Sequence, residues 1–252
     1  MNTAPFVRLL RRHLSAILAA VLSIGVAGAA PPAAVPTRPG VTDTVYPVFV
    51  ARAKATLILL PGGNGAVAQV RNNFLIRIAP DLQRLGFSTV LVDAPSDKAS
   101  GMAVSFRLSA EHMQDIAAVV AYAHAQSPAP VWLVGTSNGT VSAALAAAKL
   151  GKEIAGVVLT SSVWAQGLGG IPLQDIRVPV LVVHNRDDGC HASPPSGVNL
   201  AMPRFTGTPV HDLIWVSGGI SRGDDCGAMS PHGYLGIEAG VVSQITDWIQ
   251  KH

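Results

Sequence analysis

The chain has 252 residues, 49% of them hydrophobic and 13% charged, and a formal net charge of +3. With two cysteines and no basic cluster beyond the first dozen residues, the composition argues against a structural metal centre and against a nucleic-acid-binding surface. The length suits one domain with a full core.

Residues 1–29 have the layout of a secretory signal. Arg8, Arg11 and Arg12 precede an uncharged apolar run, Leu14–Val26, and Ala27-Gly28-Ala29 offers a small-x-small cleavage site. The run is short and rich in Ala and Gly for a membrane span. An uncleaved amphipathic anchor is the alternative, and Arg11-Arg12 hints at twin-arginine export although its flanks match poorly. Cleavage would remove three of the 18 basic residues and no acid, leaving 15 of each sign. The mature protein is therefore expected to be neutral, exported to the periplasm or beyond, and without a stable membrane span. Residues 30–43, with Pro31, Pro32, Pro36 and Pro39, read as a linker, and 44–252 as the folded domain.

Strand and helix signals then alternate. Strands are expected at Val45–Val50, Ala55–Leu60, Ser88–Val92, Val131–Val134, Ala155–Thr160, Val178–Val183 and His211–Val216. Helices are expected at Ala66–Arg84, at Ala110–Ala125 with Ile116, Val119, Val120 and Ala123 on one face, and in the Ala-rich stretch after Gly139. The last helix carries Ile237, Val241, Val242, Ile245, Trp248 and Ile249 at helical spacing, to pack on the sheet. Such alternation predicts an α/β fold with a mostly parallel central sheet and helices on both faces.

The chemistry concentrates where strands end. Gly135-Thr136-Ser137-Asn138-Gly139 lies between a strand and a helix, the setting in which G-x-S-x-G is a nucleophile elbow. Small residues two before and two after the serine permit close backbone approach, and the Asn138 N–H at the helix start is free to bind an oxyanion. An ordinary serine in a glycine-bounded turn is the plain alternative. A nucleophilic serine needs a base and the base an orienting acid. The strand Val178–Val183 runs into His184-Asn185-Arg186-Asp187-Asp188, and the strand His211–Val216 leads through a Gly-rich loop to Ser230-Pro231-His232-Gly233. Ser137, Asp188 and His232 thus fall at the carboxyl ends of strands, where open α/β sheets place their sites.

Over roughly Thr44–His252 these segments resemble the α/β-hydrolase superfamily, in particular its small capless serine hydrolases of the dienelactone-hydrolase and esterase type. The resemblance implies Ser137 as nucleophile, His232 as base and, by spacing, Asp188 as acid. Asn185 stands where the family often has Gly, and the adjacent Asp187 stays open as the acid. The second oxyanion donor would be the Gly63 N–H in Pro61-Gly62-Gly63-Asn64-Gly65, with Asn64 next; Pro61 replaces the usual His. Lids in this superfamily enter between the strands at 155–160 and 178–183, where only Ser162–Arg177 intervene, so no large lid is expected. No cofactor or metal is implied.

Other readings compete. Gly63-x-Gly65-x-x-Ala68 after a strand resembles a dinucleotide fingerprint with Asp93 as ribose ligand, but Asp93 lies far downstream and the Ser/Asp/His order would become coincidence. Among the histidines, His112 and His124 are expected on a solvated helix face, His184 as a packed strand end, His191 near the acid loop, and His211 at the wrong end of the sheet. Cys190 and Cys226 are close in sequence to Asp188 and His232 and could form a disulfide joining their loops; two free thiols are the alternative. Met102, Phe106 and Trp164, in the loops Ser96–Leu108 and Val163–Ile176, suggest an apolar acyl pocket or ordinary loop packing. The expected activity is hydrolysis of a small-molecule carboxylic ester. An amidase or peptidase, or a silent hydrolase-fold binding protein, would share these residues.

Overall fold

A computed structural model describes Met1 and residues 30–164 and 168–252. Apart from Met1, the signal-like segment expected at 1–29 lies outside the described residues. Eight strands form one sheet: β1 Ala33–Arg38, β2 Val41–Val48, β3 Thr56–Leu60, β4 Ser88–Pro95, β5 Val131–Thr136, β6 Gly156–Thr160, β7 Val180–Asn185 and β8 His211–Val216. Their spatial order is β1-β2-β4-β3-β5-β6-β7-β8. The first two strands join antiparallel and every later pairing is parallel.

The central strands β3, β5, β6 and β7 are buried along their whole length, as parallel strands covered on both faces must be. One face carries α1 (Phe74–Arg84) and α6 (Glu238–Ile249), whose Leu75, Ile78, Val242 and Ile245 pack on Leu57, Val134 and Val183. The other carries α3 (Ala110–Gln126), α4 (Gly139–Leu150) and the short α5 (Pro195–Ala201), with Ile116, Val120 and Val141 on Ile58, Leu133 and Val182. A further short helix, α2 (Val104–Arg107), precedes α3. Alternate residues of each central strand feed the two cores, the period-two geometry of a sheet. Only residues 161–179 join β6 to β7, so no lid domain is inserted there.

Residues 30–43 correct the linker expectation. They hold β1 and the start of β2, turned back by Pro39-Gly40 with Gly40 at φ +74°. Proline density reads as disorder, yet an edge strand needs no N–H at every position, and Pro36 stands on the edge strand β1. Arg38 fastens this edge by donating to Asp115 on α3 at 2.7 Å and to Asp97 at 2.9 Å. The helix expected over 66–84 begins only at Phe74, where the Asn73 side chain accepts the Leu75 N–H at 3.0 Å and caps it.

Asp43, on β2, is buried, and neither carboxylate oxygen has a hydrogen-bond partner among the described residues. Burial pushes it up from 3.8 to about 7; Asp115 adds to the rise and Arg38 opposes it. The unfolded chain would release this proton near the ordinary value and the folded chain near 7, so Asp43 lowers stability progressively as pH rises through that window. Asp43→Asn is expected to raise the melting temperature, with a gain that grows from pH 4 to pH 7 and levels off above. Melting curves showing the same gain at pH 4 and pH 8 would contradict this.

Candidate active site

Ser137 sits between β5 and α4 with φ +51°, in the left-handed region. That conformation turns the chain sharply, and the turn survives only because the residues two before and two after it, Gly135 and Gly139, lack side chains. A Cβ on Gly139 would lie 2.0 Å from the Leu60 carbonyl oxygen, and one on Gly135 would lie 2.6 Å from that of Gly139. The Ser137 N–H donates to the Thr160 carbonyl at 3.0 Å, and Thr140 donates from its N–H (2.9 Å) and hydroxyl (2.6 Å) to the Ser137 carbonyl. The elbow is thus held from β6 and from the first turn of α4. Asn138 stands at the N-cap position of α4, so its N–H lies at the positive end of a twelve-residue helix.

Asp188, in the turn after β7, accepts His232 Nδ1 at 2.9 Å on Oδ2 and the Cys190 N–H at 2.9 Å on Oδ1. Its side chain is fully buried. Asp187 points elsewhere: exposed, it accepts the Gly218 N–H at 2.6 Å. Two adjacent acids therefore hold different loops, and only Asp188 meets the imidazole. With Nδ1 engaged, His232 Nε2 is buried without a hydrogen-bond partner among the described residues.

The histidine loop is fixed on every side. The His232 N–H donates to Ser230 Oγ at 3.2 Å, and Ser161 Oγ donates to the His232 carbonyl at 2.7 Å. Asn185 Nδ2 donates to the Pro231 carbonyl at 3.1 Å, and Arg77 to that of Gly233 at 2.6 Å. Asn185, where the resembled family often has glycine, thereby ties the acid strand to the histidine loop.

The loop after β3 approaches the elbow closely: a Cβ on Gly62 would lie 2.7 Å from that of Ser137. Gly63 takes φ +58°, and its carbonyl accepts Asn138 Nδ2 at 3.1 Å, so the two expected oxyanion donors belong to segments bonded to each other. Asn64 instead folds its side chain back toward Gln69 and the Ala66 N–H.

Comparison with known proteins identifies the fold that carries this arrangement. Residues 55–172 match a family model described as the alpha/beta hydrolase fold, a span holding Ser137, Gly63 and Asn138. Dienelactone hydrolase from Anabaena variabilis superposes with a TM-score of 0.65 at 14% identity, covering 88% of this chain and 97% of its own. A serine hydrolase without a lid from Xanthomonas campestris gives a TM-score of 0.60 at 19% identity, covering 84% and 94%. A Pyrococcus furiosus esterase gives 0.58 at 14%, covering 74% and 81%. The chain has the α/β-hydrolase fold. No curated protein matches it in sequence.

On this scaffold Ser137 and His232 line one cavity of about 450 Å³, walled also by residues 68–74. That wall is the stretch expected to be helical, so the sequence reading missed it. Met102 and Phe106 do not line this cavity; they pack with Ala66 and Ala94. Trp164 borders a separate apolar groove beside α5. The acyl-pocket reading of these three residues is not upheld. Asp93 is not placed as a ribose ligand, since it accepts the Val67 and Ala94 N–H groups, both at 2.8 Å, and the Tyr46 hydroxyl at 3.1 Å.

The remaining histidines sort by burial. His112 is buried rather than solvated, with Nε2 at 2.8 Å from Ser142 Oγ, and burial beside Arg107 pushes it down to about 3. His124 is exposed and bonds the Glu153 carbonyl. His184 is packed, pushed down by burial, with Nε2 at 3.0 Å from the Ser193 carbonyl. His211 begins β8, at the other end of the sheet from the site. Ser193, which no sequence pattern marks, donates to Asp188 Oδ2 at 2.9 Å and lies 3.0 Å from His232 Nδ1.

Cys190 and Cys226 form a disulfide with Cα atoms 4.4 Å apart, and Cys226 lines the cavity. Exposed His191 lies against it, with Nδ1 at 3.5 Å from the Cys226 sulfur. The bridge joins the Asp188 loop to the segment before His232.

Two predictions follow from this geometry. Asp188→Asn should lower turnover far more than Asp187→Asn, by a factor on the order of the ten-thousandfold measured in a protease triad, while Asp187→Asn stays within a few-fold. Steady-state kinetics showing the reverse ranking would move the acid role. Reduction of Cys190–Cys226, which closes a separation of 36 residues, should destabilise by about 3–4 kcal/mol in the chain-entropy estimate. It should also depress turnover, because the loops it ties carry Asp188 and His232. Melting and kinetics with and without reductant test both halves; free alkylation of both thiols in the native protein would exclude the bridge.

Proposed function

We propose that the protein is a serine hydrolase that cleaves small carboxylic esters through an acyl-enzyme, and that it acts after export. The observation that carries the reading is His232, bonded through Nδ1 to a buried carboxylate at 2.9 Å while Nε2 has no partner among the described residues, in the same cavity as an elbow serine. Ser137 Oγ attacks the acyl carbon as His232 Nε2 takes its proton. The carbonyl electron pair moves to oxygen, where the Asn138 and Gly63 N–H groups receive the charge. Collapse expels the alcohol, which takes the proton from His232. Water then repeats the sequence and frees the acid and Ser137. Asp188 holds the imidazole tautomer and stabilises its cation.

Ester rather than amide chemistry is supported by the esterase and dienelactone hydrolase among the structural neighbours. Export is supported by the signal-like first 29 residues together with the disulfide, a bond that persists in oxidising compartments. No helix among the described residues is long and apolar enough to cross a membrane.

Wild type is expected to take a fluorophosphonate label and to hydrolyse short p-nitrophenyl esters. Ser137→Ala should fold, refuse the label and lose turnover by several orders of magnitude. Amide turnover exceeding ester turnover would shift the substrate class. An unlabelled, inactive wild type would mean a silent binding protein, and near-normal activity in folded Ser137→Ala would remove Ser137 from the reaction.

A further inference from the structure

Arg107 ends α2 directly behind the loop that follows β3, and only 1% of it is exposed. Its three hydrogen-bond acceptors are all neutral: Ser142 Oγ at 2.9 Å, the Pro61 carbonyl at 3.2 Å and the Gly63 carbonyl at 3.3 Å. Nε is buried without a partner among the described residues. His112, which shares Ser142 Oγ, adds no negative charge. A buried guanidinium with only neutral partners is costly, and buried charges are ordinarily paired.

The contacts fall in a pattern. A trans peptide points its N–H opposite its carbonyl. Arg107 holds the Pro61 carbonyl, the Gly65 N–H holds that of Gly62 at 3.1 Å, and Arg107 with Asn138 Nδ2 holds that of Gly63. Three consecutive carbonyls are thereby fixed, and with each the N–H of the same peptide, that of Gly62, Gly63 or Asn64, is fixed pointing opposite to it. The loop also leaves no slack beside the guanidinium, since a Cβ on Gly65 would lie 2.7 Å from Nη2.

We infer that Arg107 is a positioning residue for the oxyanion hole, bracing the Pro61–Gly63 loop from behind and supplying an unpaired positive charge to the anion formed above it. The anion arises when Ser137 Oγ bonds to the acyl carbon, the carbonyl π pair moves to oxygen, and His232 takes the serine proton. In the resting protein the charge of Arg107 meets no carboxylate among the described residues; in the tetrahedral intermediate it has an oxyanion. Burial pushes the guanidinium down only to about 10, so it stays charged at neutral pH. The inference rests on the hydrolase reading and goes beyond it by assigning a transition-state role to a residue outside the cavity lining.

The test compares wild type, Arg107→Met and Arg107→Lys, each checked for folding by melting. The readouts are kcat, KM and the inhibition constant of a trifluoromethyl ketone, which forms an oxyanion on the serine. In Arg107→Met, kcat should fall about a hundredfold or more, as when one oxyanion donor is lost. KM should stay within about threefold, and ketone affinity should fall in step with kcat/KM. Arg107→Lys keeps a charge but not the fork that spans two carbonyls, so it should lie between. If the Met variant does not fold, the Lys variant decides: a parallel loss of about tenfold or more in kcat and ketone affinity supports the assignment, and a smaller loss overturns it. A folded Met variant with near wild-type kcat, or one that loses activity with ketone affinity unchanged, also overturns it. A wild type that neither hydrolyses ester nor accepts a fluorophosphonate refutes the hydrolase reading itself, whereas an active wild type with indifferent Arg107 variants refutes this assignment alone.

Discussion

A serine with φ +51° is the constraint from which the site follows. A non-glycine residue in the left-handed region is strained and persists only where its surroundings over-determine it. Here β5 fixes the chain before Ser137, α4 begins two residues after it, and the Leu60 carbonyl leaves space only for hydrogen at Gly139. The strain is offset by packing: residues 139–147 of α4 are buried without interruption, and its alanines let the helix lie close on the sheet. The same turn lifts the serine above the strand ends and leaves the Asn138 N–H at the start of the helix.

Around that fixed point the structure repeats one device, a loop carbonyl held by a buried or half-buried donor from another element. Asn185 and Arg77 hold the carbonyls on either side of His232, Ser161 holds that of His232 itself, and Arg107 holds those of Pro61 and Gly63. Site residues on loops would otherwise be mobile. Each such bond is modest alone, on the order of 1 kcal/mol net, or more from a charged donor. Their value lies in direction, because positioning errors of about 1 Å cost rate steeply. The disulfide adds a covalent version of the same constraint between the acid loop and the cavity wall.

What could be read from the sequence was whatever local chemistry fixes. The elbow glycines mark a turn that no other residue permits, and the buried strands announce themselves as continuous apolar runs. The choice between Asp187 and Asp188 could not be read, because neighbouring side chains in a turn diverge and only the tertiary position of Gly218 shows where Asp187 goes. The β1–β2 hairpin was hidden by prolines that an edge strand and its turn tolerate. The 68–74 wall was hidden because Asn73 caps the helix later than hydrophobic periodicity suggests. Arg107 and Ser193 carry no motif at all. Their roles come from contacts spanning 46 and 39 residues, to Pro61 and His232.

The central claim is that the loop after β3 and the start of α4 form a preassembled oxyanion hole over Ser137. A crystal structure of the protein phosphonylated on Ser137 tests it most directly. The account predicts one phosphoryl oxygen within about 2.7–3.1 Å of both the Gly63 and Asn138 backbone nitrogens, with the Pro61 and Gly63 carbonyls still on Arg107. A phosphoryl oxygen turned to solvent, or received by neither nitrogen, would contradict it.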